Sequence, residues 1–191
     1  MEIMKKQNLA LAGVFLLATG SAQAADEWNL FAGLEDGYKA EPTVSVMLGQ
    51  MDPGDNMDSD TISGIELSLN CPLLQPPSNR IRQQVSYTTY DDQGVEITSI
   101  EINPHYVVEV SPDLEIGGGP GLGYVMVDSG AGDGSVLALQ LGVSAHYTMQ
   151  SPLFIGAEAR YQITGEDDFG DGGAEDNVNN YRIALKVGYS F

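Results

Sequence analysis

Apolar and polar positions alternate along most of this chain. The pattern is cleanest at the end: from Tyr181 to Phe191, odd positions are large and apolar, and even positions are charged or small. A period of two makes a strand with one greasy and one polar face. Residues 43–51, 61–71, 80–90, 98–110, 114–127, 136–148 and 153–164 alternate in the same way. Each segment is close to the length a tilted strand needs to cross a bilayer. Beyond the first 24 residues no run is long and apolar enough for a spanning helix. In lipid only helices and closed barrels satisfy every backbone group. The expected fold is therefore all-β, an antiparallel up-and-down transmembrane barrel of about eight strands. A soluble β-sandwich is the main competitor.

An even strand number places both ends on the periplasmic side. The turns at 111–113 and 149–152 are tight and fall there. Residues 51–60, 128–134 and 165–180 are long, acidic and glycine-rich, and are expected outside. Two connections break this asymmetry: 91–94 is a short external turn, and 72–79, with Pro76 and Pro77, is a long periplasmic one. Residues 28–32 have the makings of a further strand, but one more strand would spoil the parity. Residues 25–42 are therefore expected to form a periplasmic segment, with 43–191 as the barrel.

The aromatic residues give an independent check. On the apolar faces, Tyr87, Tyr124, Tyr161 and Tyr181 fall at the outer end of their strands, and Tyr106, Tyr147, Tyr189 and Phe191 at the inner end. Two aromatic girdles are what the two bilayer interfaces favour. A soluble sandwich has no reason to sort its tyrosines this way.

The N-terminus reads as a cleaved secretory signal over residues 1–24. It has Lys5 and Lys6, a short apolar core over 9–20, and the small-residue site Ala22-Gln23-Ala24. Loss of this leader, with Lys5, Lys6 and Glu2, takes 8 basic and 27 acidic residues to 6 and 26, a net charge of −20. Such a chain has no basic surface for nucleic acid. Cys71 is the only cysteine, so no internal disulfide forms.

The strand pattern and the ending Val187-Gly188-Tyr189-Ser190-Phe191 resemble the small outer-membrane barrels of the OmpA and OmpX type, from about residue 43 to the end. The resemblance implies the outer membrane as location, and outer-membrane lipids and lipopolysaccharide as surroundings. It also implies the barrel-assembly machinery as a partner, with Tyr189 and Phe191 as the signal that machinery reads, and a barrel that is monomeric. No peptidoglycan-binding extension is expected after the barrel, unlike in larger members of that group.

The face opposite the apolar band carries Glu66, Arg82, Glu101, Glu109, Glu115, Glu158, Arg160, Arg182 and Lys186. Charges enclosed in so narrow a lumen must pair, because an unpaired buried charge is costly. The expectation is a network that plugs the barrel; the alternative is a gate whose pairs rearrange to pass ions. Gly117, Gly119, Gly121 and Gly123 also face inward. The run 117–123 has the look of a phosphate loop but lacks the Lys-Ser/Thr pair and a following helix. His105, His146, Ser144 and Glu109 invite a hydrolase reading. A site in the periplasmic mouth is poorly placed for a membrane substrate, so the histidines are expected to be hydrogen-bonded lumen residues. Asp52, Asp55, Asp58 and Asp60 cluster in one outer loop, and Asp167, Asp168 and Asp171 in another. Carboxylates with glycines suit weak Ca²⁺ binding, though the spacing matches no helix-loop-helix calcium site; no other cofactor is expected. The functional expectation is a structural or surface-interaction barrel without enzymatic activity. A narrow porin-like channel is the alternative, and a lipid-modifying enzyme the third.

Overall fold

The computed structural model describes residues 28–53, 59–92, 94–130, 132–166 and 177–191; the leader lies outside them. Eight antiparallel strands close into a barrel. They are β1 (Thr43–Asp52), β2 (Asp60–Asn70), β3 (Arg80–Asp92), β4 (Val95–Ser111), β5 (Leu114–Ser129), β6 (Gly132–Thr148), β7 (Leu153–Thr164) and β8 (Asn180–Ser190). Each pairs with its sequence neighbour, and β8 closes on β1, with Leu185 opposite Leu48. Closure removes the unpaired edges that no bilayer tolerates.

The alternation places large apolar side chains outward on every strand. Val46, Ile65, Val85, Ile102, Leu122, Leu139, Ile155 and Leu185 all stand exposed in a continuous band. The eight aromatic residues above also lie on this face. Tyr161 stands directly opposite Tyr181, and Tyr87 and Tyr124 flank Ile100 from either side.

The sequence reading needs two corrections here. Residues 128–134 do not form a long loop: β5 and β6 run on as paired strands until Ser129 meets Gly132. The β3–β4 hairpin is equally tight, with Gly94 at φ 83°, a left-handed position that suits glycine. These four strands continue outward past the apolar band. Within residues 28–32 a strand does form, but a two-residue one outside the barrel: Asn29–Leu30 pairs with Leu74–Gln75. The long inner connection between β2 and β3 thus serves as the seat of the N-terminal segment, and barrel parity is untouched. Tyr38 donates from its hydroxyl to the Asn70 carbonyl. Burial, and next the Cys71 thiol, hold the Tyr38 phenol above its usual value. The donating form therefore persists until the pH rises through that raised value.

One seam of the wall is broken. Between β4 and β5 the ladder stops at Ile102–Leu122 and resumes at Tyr106–Gly118. The register sets Pro104 against Pro120. The ladders on their other sides run straight through both prolines, as Gln83–Pro104 and Pro120–Leu141. That is possible only if both proline nitrogens face the seam, since neither carries an N–H. Their carbonyls then face each other with no ladder donor. Gly119 permits the approach, because a Cβ there would lie 2.1 Å from the Pro104 oxygen. Replacing Pro120 by Val supplies an N–H. An unsatisfied backbone group in lipid costs several kcal/mol, more than the roughly 0.4–1 kcal/mol of chain entropy a proline saves. The variant is therefore expected to be more stable by upwards of about 1 kcal/mol, seen as a higher urea midpoint in lipid vesicles.

Candidate functional site

Strand parity decides which side chains point into the lumen. Toward the outer end, inward positions are apolar: Met47, Met51, Ile62, Tyr90, Ile97, Val125, Val127, Ala138 and Ala184 form one buried cluster. Ile62, Tyr90, Ile97 and Val127 stand side by side across four strands. Val178, from the segment before β8, packs onto the same cluster. It is held there because its N–H donates to Thr164 Oγ1, while Asn179 Oδ1 accepts from the Thr164 N–H.

A charged cluster interlocks with these residues, Arg182 lying opposite Met51, Glu158 opposite Ala184 and Lys186 opposite Met47, and continues toward the inner end. Arg160 reaches Glu101 Oε2 at 3.1 Å and Glu158 Oε2 at 2.8 Å. Arg182 also pairs with Glu101, and its Nε lies 3.9 Å from Glu158 Oε1. Lys186 Nζ bridges Glu66 at 2.5 Å and Glu158 at 2.7 Å. Three carboxylates thus meet three cations, and all six side chains are buried. Gln140 and Gln162 complete the layer, with Gln140 donating to Gln162 at 2.6 Å.

Three of the expected network members sit elsewhere. Arg82 is buried but meets neutral acceptors: Ser68 Oγ at 3.0 Å, the Ser68 and Glu41 carbonyls, and Thr43 Oγ1. Glu115 pairs with Arg80, which also holds Glu41 at 3.1 Å. Arg80 therefore ties the N-terminal segment to β5 across the inner mouth. Sequence reasoning passed over it because it opens its strand. Glu109 is exposed, since the β4–β5 register slips between Glu109 and Ser111 at the rim. Between the Arg80 latch and the charged layer lies a cavity of about 30 Å³, room for about two water molecules.

The inward glycines are partly filled by neighbours. Asn103 occupies the space of a side chain at Gly121, and Gln140 that at Gly123. His105 Nδ1 and Ser144 Oγ share a hydrogen bond of 2.9 Å. His146 instead stacks on Phe154, with centroids 3.9 Å apart. Glu109, at the rim, stands apart from both histidines. Ser144 also lies opposite Glu158, but among the described residues no hydrogen bond joins either histidine to a carboxylate.

At the outer end, Asp91, Glu96, Asp128 and Asp133 form a transverse row on β3 to β6, each directly opposite the next. All four are exposed on the outward face. Like charges so placed, with Cβ atoms about 5 Å apart, repel. Asp128→Asn is expected to raise stability by about 0.2–1 kcal/mol at low ionic strength, and by less in salt. No Lys, Arg or His occurs in 52–60, 91–96, 128–133 or 164–180. Of the proposed cation ligands, Asp52 and Asp60 lie at the facing ends of β1 and β2. Asp55, Asp58, Asp167, Asp168 and Asp171 fall outside the described residues. Among the described residues no three metal-binding side chains converge.

A closed barrel with an apolar outer band and a polar interior defines a transmembrane β-barrel of the outer membrane. Residues 10–191 match the outer membrane protein β-barrel domain, and the chain belongs to that family. Its fold is similar to that of Ail, the attachment invasion locus protein of Yersinia pestis, at 16% identity and TM-score 0.50, covering 81% of this chain and all of that one. Ail in complex with the heparin analogue sucrose octasulfate gives TM-score 0.51 at 14% identity, with the same coverage. Neisserial surface protein A is similar at 17% identity and TM-score 0.52, covering 78% of this chain and 96% of that one. None of the curated proteins matches this chain.

Proposed function

We propose that this outer-membrane barrel is a non-conducting, non-enzymatic scaffold, whose role is structural or interactive at the cell surface. The observation that supports this reading is the double occupation of the lumen, by an apolar cluster toward the outer end and a charge-balanced cluster that interlocks with it. What the barrel offers outside is a purely acidic rim. Ail has been crystallised with a heparin analogue; the rim of this chain would repel such a polyanion, so the partner class that suits it is cationic. Weak divalent-cation binding by the outer carboxylates, bridging to lipopolysaccharide phosphates, belongs to the same reading. It predicts Ca²⁺-dependent stabilisation of the wild type that shrinks when Asp52, Asp55, Asp58 and Asp60 are changed to Asn.

Single-channel recording of the refolded mature protein in a planar bilayer tests the main claim. Silence from protein shown to be folded by its heat-dependent gel mobility is expected. Discrete openings that change with Glu158 or Arg160 would replace the scaffold with a narrow channel. The reading also takes Tyr189 and Phe191 as the assembly signal. Deletion of Phe191 is expected to reduce assembly in cells severalfold while leaving refolding into vesicles intact; equal loss in both would make Phe191 a packing residue only.

A further inference from the structure

The N-terminal segment carries a surface that the barrel's own filling does not explain. Within residues 28–34, Trp28, Leu30, Phe31 and Leu34 are 41%, 67%, 60% and 87% exposed, and Leu73 beside them is 62% exposed. Large apolar side chains gathered in water mark an interaction surface. The segment is held firmly in this posture. Phe31 N–H donates to the Leu73 carbonyl at 2.7 Å, and Gly33 N–H to the Pro72 carbonyl at 2.8 Å. Phe31 keeps a left-handed backbone (φ 59°), uncommon for a bulky residue, at the start of the 3-10 turn Ala32–Leu34.

Its position identifies what it meets. Leu69, Cys71 and Ile81 occupy outward-facing positions at the inner ends of β2 and β3. Cys71 is buried there and the other two are half-buried, whereas Tyr106, Val108 and Val110 at the same end of β4 are exposed. The wall is thus covered where the N-terminal segment is seated, and the segment turns its own apolar side chains outward in place of the wall's. Ile81 stands opposite Tyr106, and Asn79 from the seating loop donates to the Tyr106 hydroxyl at 2.8 Å. That tyrosine belongs to the inner rim of the lipid-facing band, so the exposed cluster continues an apolar surface already committed to lipid. Trp, Phe and Leu suit the boundary between headgroups and acyl chains. The charged residues of the described segment, Glu35, Asp36, Lys39 and Glu41, sum to a net negative charge, so apolar burial and not attraction to anionic headgroups would hold it there.

We propose that residues 28–34, with Leu73, form an interfacial foot that rests in the inner-leaflet phospholipid boundary beside the barrel. The foot is continuous with Glu41, which Arg80 ties across the lumen mouth. Lipid contact on the outside of the wall therefore steadies the segment that crosses the mouth.

Trp28 is the only tryptophan of the chain, so its fluorescence reports on the foot alone. The mature protein is refolded into phosphatidylcholine vesicles, with heat-dependent gel mobility as the check on folding. The foot requires blue-shifted emission and strong quenching by phospholipid brominated near the glycerol end of its chains. It also requires weaker quenching by lipid brominated at the methyl end and severalfold lower access to aqueous iodide than in Leu30→Asp/Leu34→Asp. Water-like emission with free iodide access in folded wild type would overturn it. So would shielding that disappears as lipid is added at constant protein, which would mark a second copy of the chain as the occupant. The barrel itself can remain non-conducting in every case, so failure of the foot is distinct from failure of the scaffold reading.

Discussion

Replacing Glu158 by Ala is expected to cost the folded barrel about 3–5 kcal/mol, the largest loss from any single charge in the chain. Glu158 Oε2 accepts from Arg160 at 2.8 Å and Lys186 at 2.7 Å, and Oε1 faces Arg182. Without it, three buried cations face two carboxylates in a space that water cannot easily reach. The attraction in such a layer barely offsets the desolvation of its members, so the layer adds little stability when complete but is costly when one member is lost. The urea midpoint of vesicle-embedded protein reads the effect. Glu109→Ala is the matched control: it removes the same group from an exposed rim position, where about ±0.5 kcal/mol is expected. Equal shifts for the two variants would mean that the lumen charges are solvated and that the balanced layer is not what holds them. Glu158→Ala should remain silent in a planar bilayer, because the apolar side chains toward the outer end, from Ile62 to Val127, are untouched.

The strands were legible because alternation survives wherever a wall has lipid on one side and a packed lumen on the other. It was harder to read past the bilayer. The outward positions Asp91, Glu96, Asp128 and Asp133 are as polar as a loop, so β5 and β6 looked shorter than they are. The period of two persisted only in the inward residues Val95, Ile97, Val125 and Val127. The apolar cluster follows from the same parity, with Met47, Ile62, Tyr90, Ile97, Val125 and Val127 at inward positions. Glu66, Glu101, Glu158, Arg160, Arg182 and Lys186 were legible as a group because each lies within a strand, where parity fixes direction. Glu109 had the correct parity, yet a register slip at the strand end released it to solvent. Two features could not be read from pattern at all. The opposition of Pro104 and Pro120 needs the β4–β5 register, and the Arg80 bridge from Glu41 to Glu115 needs the path of a segment that has no periodicity.

Tyr90→Ala attacks the other layer. Tyr90 lies between Ile62 and Ile97 in direct cross-strand register, and all three are about 1–2% exposed. Deleting a buried aromatic side chain typically costs about 3–5 kcal/mol, part of it for the cavity left behind. Neighbours on a closed sheet cannot collapse far to fill that space, so the upper end of the range is expected. The hole opens toward the outer surface but ends on the charged layer, whose six side chains still span the lumen. The variant should therefore be less stable and still non-conducting. Joined to Glu158→Ala it removes parts of both layers, and only this double variant, once shown to fold by heat-dependent mobility, is expected to give discrete openings. Conduction by Tyr90→Ala alone would show that the ion-paired layer is no seal. Silence from the folded double variant would place the seal in the side chains that remain, with Met51, Val127 and Val178 the next to remove.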